Sequence, residues 1–240
     1  MQLTLCGGTQ APAVAMLGLW DPFTQSHEAL IRQMCSHARS EGLSAVAVLL
    51  DPAPAVYVSA RPWPTFSDHQ TRLSLLQSIG LDAVACVTFS REDLESGAED
   101  FFDLVCAHID LKEFWIKPAQ ALGSGSRGGP WAVLAQTRKR GITLRRLPPE
   151  PDGDAGAAGR SHLVKGEFRR ARCCVGRPPT LHRPPGDDVS LPWPSGWYQA
   201  VPVEFPDGSA VSSSFGIELP PNPGGTATLR WPSPAVEWLS

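Results

Sequence analysis

The hydrophobic pattern of the first 150 residues alternates between two periods. Continuous apolar runs of strand length stand at "AVAMLGLW" (13–20), "SAVAVLLD" (44–51) and "AVACVTF" (83–89), with shorter runs at "EFWIK" (113–117) and "ITLRRL" (142–147). Between them the spacing becomes helical. "HEALIRQMCSHARSEG" (27–42) puts Leu30, Ile31, Met34, Cys35 and Ala38 on one face and stops at Gly42. "DHQTRLSLLQSIGLD" repeats that spacing with a stop at Gly80, and further helices are predicted over 92–109 and 130–140. Unbroken apolar runs suit strands buried on both faces. The pattern therefore predicts an α/β domain with a parallel sheet covered by helices.

At 148 the text changes to "PPEPDGDAGAAGR", too rich in Pro, Gly and Ala to promise packing, and it reads as a linker over 148–160. "SHLVKGEFRRARCCVGRPP" resumes helical spacing and predicts a joining helix over 161–179. From 180 to 240 short β-like runs, "GWYQAVPVEF", "AVSSSFGIEL" and "TATLRWP", are separated by "PDG" and "PPNPGG" turns. The expected organisation is an α/β domain over 1–147, then linker, helix and a small all-β module, with no internal repeat.

Composition narrows the class. With 42% hydrophobic and 19% charged residues in 240, the chain reads as a soluble globular protein of one large domain, or of a medium one with a smaller partner. No apolar run approaches the roughly 20 residues of a membrane helix. The N-terminal text lacks a basic start and a signal-type apolar stretch, so the expected home is the cytoplasm. The six cysteines make no CxxC spacing, and the vicinal Cys173 and Cys174 point in different directions on a helix; all read as reduced thiols. His37, His69, His108, His162 and His182 form no pair at metal-ligand spacing, and no zinc or other metal site is expected in the protein itself. No Gly-x-Ser-x-Gly elbow supports hydrolase chemistry. Net charge is uneven. Residues 1–137 hold 8 basic and 14 acidic side chains, 138–183 hold 12 and 4, and 184–240 hold 1 and 6. The basic segment either faces a phosphate-bearing ligand or is a solvated helix face; a nucleic acid is not the expected partner, and a protein partner stays open.

The candidate chemistry lies in "GLWDPFTQSH" (18–27), directly after the first apolar run. In a parallel sheet, ligands bind beyond the carboxyl ends of strands, and the following helix offers free N–H groups and a positive dipole end to phosphate. Thr24, Ser26 and His27 stand there beside the backbone of Gly18, Leu19, Trp20 and Asp21. A hydroxyl, an amide cradle and an imidazole suit electrostatic stabilisation of a transferring phosphate. Asp21 and Thr24 are also ordinary turn and N-cap residues, and Trp20 either stacks on a base or supports the strand.

This stretch resembles the (H/T)xGH signature of the nucleotidylyltransferase superfamily. The longer text "LGLWDPFTQSHEALIRQMCSHARSEGLSAVAVLLDPAPAV" resembles the first βαβ unit of the bacterial FAD synthetases, the bifunctional riboflavin kinase/FMN adenylyltransferases. "EFWIKPAQALGSGSRGG" is similar to their strand and G-x-D-F-x-F-G-x-x-x-x-G loop, and "VKGEFRRARCCVGRPPTL" to the helix joining their two modules. The resemblance implies a Rossmann-like nucleotidylyltransferase domain followed by a reduced, flavokinase-like barrel. It implies transfer of AMP from ATP to FMN or a related phosphorylated acceptor, with Mg2+ bridging the phosphates and FAD as product. Thr24 and His27 would be catalytic. Gly18, Leu19, Trp20, Asp21, Ser26, Gly123, Gly125, Gly128, Arg160 and Ser161 would face the nucleotide, and Asp51 and Pro52 the flavin or other acceptor.

Departures from the family pattern bear on activity. Ser26 adds a side chain where the signature has Gly, Ala53 replaces a His, and Ala119 and Gln120 replace the Asp-Phe pair of the glycine loop. Before Lys165 the S-S-T-R-I-R motif is missing, and only Arg160 and Ser161 stand in its place. The Gly-rich flap and P-T-A-N motif of the kinase are absent, and Asp187 and Asp188 read as a surface turn. The expectation is therefore a nucleotidyltransferase without riboflavin kinase activity. The rival is a catalytically inactive relative that binds flavin, nucleotide or a protein partner.

Overall fold

The structure, a computed structural model, describes residues 1–9, 12–52, 57, 65–117, 120, 122, 125–148, 155–182, 188–191, 196–202, 215–219, 227–230 and 235–238. Each apolar run of the first 150 residues becomes a strand: β2 (Ala13–Gly18), β3 (Ser44–Asp51), β4 (Ala83–Thr88), β5 (Leu111–Ile116) and β6 (Thr143–Arg146). They form one sheet of order β1-β4-β3-β2-β5-β6, in which β2 to β6 are parallel. β1 (Gln2–Gly7) was not legible as a strand. It pairs antiparallel with β4, Gln2 opposite Thr88, and its alternating exposure is that of an edge strand with one face on the core. β2 ends at Gly18, two residues before the end of the apolar run, because the chain turns at Trp20.

Helices cover the sheet. α1 (Gln25–Glu41) buries Ile31, Met34, Cys35 and Ala38, four of the five residues its spacing put on one face. α2 (His69–Ser78) follows. The helix expected over 92–109 is divided: a 3-10 turn at Glu92–Glu95, then α3 (Ala98–Cys106). Gly97 interrupts it in an extended conformation, and its N–H donates to the Asp100 carboxylate in a capping bond of 2.8 Å. A short turn of helix, α4 (Gly125–Gly128), leads into α5 (Pro130–Lys139), whose first residue is a proline, where a missing N–H costs nothing. Phe101, Phe102 and Val105 of α3 and Val133 of α5 join Ala15, Leu17, Val46, Val48, Phe114 and Ile116 of the strands in one core. Phe102 and Phe114 meet edge to face at 5.1 Å, worth about 0.5–1.5 kcal/mol beyond the area they bury.

A polar network is anchored on β5. The Glu113 carboxylate on β5 accepts hydrogen bonds from His37 Nε2 at 2.9 Å and the Trp115 indole N–H at 3.2 Å, and the Arg145 guanidinium lies 4.7 Å over the Trp115 ring. Burial pushes the carboxyl up, but the hydrogen bonds from Trp115 and His37, with the electrostatic attraction of His37 and Arg145, outweigh it and hold Glu113 below the usual carboxylate range.

The chain divides into two compact units. The first is Met1–Trp20, Ser26–Ser59 and Leu73–Gly153; the second is Asp21–Gln25, Ala60–Arg72 and Asp154–Ser240. In the second, helix α6 (Ala155–Val164) starts inside the stretch read as linker. The expected single joining helix is instead the end of α6, a turn at Lys165–Glu167, and α7 (Phe168–Val175), closed by Gly176 at a φ of 85°. His162 of α6 and Glu167 meet across that turn at 2.5 Å. Strands β7 (Thr180–His182), β8 (Asp188–Leu191), β9 (Gly196–Pro202), β10 (Phe215–Leu219), β11 (Ala227–Arg230) and β12 (Ala235–Trp238) follow, of which β9, β10 and β11 lie in the three β-like runs. They form an antiparallel sheet of order β10-β9-β12-β7 and a separate β11-β8 pair. Among the described residues no helix is long and apolar enough to cross a membrane.

Candidate functional site

Parallel strands deliver their C-terminal ends to one edge of the first unit. β2, flanked by β3 and β5, brings Gly18 there; Asp51 with Pro52 follows from β3, and Lys117 from β5. The turn after β2 is built around Trp20. Its φ of 53° is the one positive value among the described residues other than glycine. Its indole N–H donates to the Val48 carbonyl of β3 at 3.0 Å, and the side chain is 2% exposed. A Cβ at Gly18 would stand 2.5 Å from that indole, so only glycine lets the ring fold back over the strand end. Of the two readings the sequence left open for Trp20, the observed contacts are those of a strand support.

His27 is the third residue of α1, half-buried in the first turn, where backbone N–H groups lack helical partners. The Trp20 ring meets its imidazole edge-on, centroids 5.5 Å apart at 80°. On another side Lys117 Nζ lies 2.7 Å from His27 Nε2. Glu28, the acid of the same turn, pairs with Arg32 at 2.8 Å. Gln120 ties the two strand ends together. Its side-chain amide donates to the Leu17 carbonyl at 3.3 Å and its side-chain oxygen accepts from the Lys117 N–H at 3.4 Å. Ser26 is half-buried beside His27. In the glycine loop the Leu122 N–H donates to the Gly128 carbonyl at 2.8 Å, with Gly125 opening the intervening helical turn; Gly123 lies outside the described residues, as do Ala53, Ala119 and Asp187.

Asp21, Thr24, Arg160 and Ser161 belong to the second unit. The Asp21 carboxylate is buried and accepts from the Phe66 N–H at 2.9 Å, the Ser67 N–H at 2.8 Å and the Ser67 hydroxyl at 3.0 Å. Burial pushes this carboxyl up, against those donors and the Arg72 guanidinium. The Asp21 carbonyl accepts from Arg160 at 2.5 Å, so these two residues serve each other. Thr24 is 2% exposed and Ser161 is exposed. Arg177 places its guanidinium 5.0 Å over the Phe23 ring of the same turn.

The arrangement therefore gathers Gly18, Leu19, Trp20, Ser26, His27, Asp51 and Pro52 in one unit, and it adds Lys117, which residue patterning had not singled out. Its position at a strand end, one residue beyond "EFWI", was the available signal. Among the described residues no group of three or more His, Cys, Asp or Glu side chains could hold a metal ion.

Strand order and helix placement together define a Rossmann-like α/β protein. The model of the FAD synthetase family matches residues 8–155, more than half of the chain, and the chain belongs to that family. It is 26% identical over 125 residues to the bifunctional riboflavin kinase/FMN adenylyltransferase of Escherichia coli (strain K12), covering 50% of this chain and 40% of that protein. The enzyme of the same name from Shigella flexneri matches to the same extent. The match thus spans less than half the length of these curated relatives. Among solved structures, a macrolide-efflux protein from Streptococcus pneumoniae superposes with a TM-score of 0.65 at 15% identity, over 97% of this chain and 86% of that one, a likeness of fold.

Proposed function

We propose that the chain is a nucleotidyltransferase of FAD-synthetase type that moves AMP from ATP to FMN or a related phosphorylated acceptor. The observation that carries this reading is the placement of His27: first turn of a helix, ring held by Trp20, Lys117 at 2.7 Å, beside the ends of three parallel strands. Membership of the family supports the same chemistry. In the reaction an oxygen of the acceptor phosphate bonds to the α-phosphorus in line. The bond from that phosphorus to its bridging oxygen breaks, and the electron pair leaves on pyrophosphate. His27, with the N–H groups of the α1 first turn and Ser26, holds the charge that grows on the transferring phosphate. By sequence motif Thr24 is the hydroxyl of the same signature. The backbone of Gly18, Leu19 and Trp20 holds the nucleotide, Asp51 and Pro52 border the acceptor, and the loop of Gly123, Gly125 and Gly128 borders the acceptor or adenine. Magnesium would bridge the nucleotide's own phosphates, as the resemblance implies.

The same reading takes riboflavin kinase activity as lost. Between Arg177 and Gly196 the sequence holds neither a Gly-rich flap nor a P-T-A-N motif. We take the antiparallel strands as a reduced flavokinase-like barrel.

Incubating the purified protein with ATP, magnesium and FMN, with FAD and pyrophosphate measured, tests the proposal. FAD formed by the native protein and lost in His27→Ala supports it; no product from either protein sinks it. One observation favours a second reading, in which the fold binds its ligands without turnover. Arg160, the remaining basic residue of the missing triphosphate motif, donates to the Asp21 carbonyl instead. That reading expects a thermal shift with ATP or FMN and no pyrophosphate.

A further inference from the structure

We infer that Lys117 and His27 work as one phosphate-recognising pair, in which Lys117 supplies the positive charge and fixes the tautomer of His27. This rests on the proposed nucleotidyl transfer and names the residue that gives its site a cation. Lys117 leaves the end of β5 and reaches His27 Nε2 at 2.7 Å, across the end of β2. An ammonium has three N–H donors and no acceptor, so the imidazole must accept at Nε2 and carry its own proton on Nδ1. The pair is held rather than incidental. Gln120 accepts the Lys117 N–H and donates to the Leu17 carbonyl, which fixes the spacing of the two strand ends. Trp20 fixes the other side of the ring. A long lysine side chain would otherwise lose much rotamer freedom to reach a single acceptor.

The consequence is a charge where the sequence offered only a neutral ring. A polyphosphate entering beside His27 meets the positive charge of the ammonium, and charge-assisted bonds to phosphate oxygens are roughly twice as strong as neutral ones. Lys117 thus takes on the electrostatic work that an arginine of a triphosphate motif would do, from a different strand. Pyrophosphate, the product of the proposed transfer, presents the same phosphate oxygens.

The test uses the full chain and inorganic pyrophosphate as probe, so that it reads the pair separately from catalysis. Nitrogen-15 spectra of the histidine rings should show His27 protonated on Nδ1, and pyrophosphate should shift its resonances. Lys117→Met should abolish the Nδ1 preference and weaken pyrophosphate binding by about tenfold or more, while Lys117→Arg keeps binding within about threefold. If Lys117→Met does not fold, Lys117→Gln carries the same comparison. Native protein that binds pyrophosphate at His27 yet forms no FAD leaves the pair standing and removes the proposed transfer. FAD formation and pyrophosphate binding unchanged in Lys117→Met remove the pair and leave the transfer. Pyrophosphate that moves neither His27 nor the melting temperature removes the pair outright, whatever the turnover.

Discussion

Gly18 shows how far a single residue can be specified by a neighbour two places on. The Trp20 indole occupies the space of any Cβ at 2.5 Å, so Gly18→Ala must displace the ring or the strand end and is expected to cost about 1–3 kcal/mol. Denaturant titration of Gly18→Ala, Trp20→Ala and the double variant checks the cause. If the alanine costs as much without the indole as with it, the contact is not the reason. Glu113 makes a prediction in pH. Its folded pKa is held down, so its contribution to stability is present above the ordinary glutamate range near 4.3 and is lost as pH falls through the lowered value. Glu113→Gln should cost about 1 kcal/mol at pH 7 and progressively less in acid, where the two melting curves converge. Curves that stay parallel from pH 7 to pH 3 would refute the linkage. His27 was legible among these residues because the turn signature marks it; Lys117 was not, because its partner is 90 positions away and only the sheet order brings them together.

At the scale of elements, α6 explains why composition misled. "AGAAGR" reads as linker because glycine is costly in a helix, by about 1 kcal/mol relative to alanine. Here the small residues are the packing face: Gly156, Gly159 and Leu163 are buried, and a Cβ on Gly159 would meet the Val175 side chain of α7 at 2.6 Å. Propensity and packing then oppose each other in Gly159→Ala. Packing should win, with a net loss of about 1–2 kcal/mol in thermal or urea denaturation. A gain in stability would show instead that α6 and α7 can part without cost. Asp21 is the corresponding device in the turn. One carboxylate takes the Phe66 and Ser67 amides, and the Phe66 carbonyl in turn accepts the Thr180 N–H of β7 at 2.8 Å. Asp21→Ala leaves buried amides unpaired, at about 1–3 kcal/mol, and should also weaken hydrogen-exchange protection of the Phe66 and Ser67 amides; full protection in that variant would contradict the role. The edge strand β1 escaped the pattern for a simpler reason. It is half-exposed and lacks the continuous apolar run that marked the inner strands.

For the molecule as a whole, the ligand is the lever. A protein whose native state alone binds ATP gains about 2.7 kcal/mol at a concentration 100 times its Kd. Calorimetric melting with and without ATP should show that gain in the native protein and its loss in His27→Ala. An unchanged melting temperature at every ATP concentration speaks against a nucleotide site at the edge of β2, β3 and β5. The unit that holds His27 is continuous in sequence except for two inserts, Asp21–Gln25 and Ala60–Arg72, which group with the second unit. A boundary read from composition at 147 does not see such inserts, because they are short.

By itself the sequence determined the alternation of strands and helices and the parallel core of β2 to β6, and it marked the turn at 18–27 as the candidate site. These follow from periodicity and from where a parallel sheet presents its strand ends, both of which are local in the chain. Only the tertiary structure decided that Trp20 props the strand end, that Arg160 serves the Asp21 carbonyl, that a glycine-rich stretch is a packed helix, and that Lys117 meets His27. Each of those depends on two segments far apart in sequence arriving within a hydrogen bond or a van der Waals radius of one another. No window along the chain contains that distance.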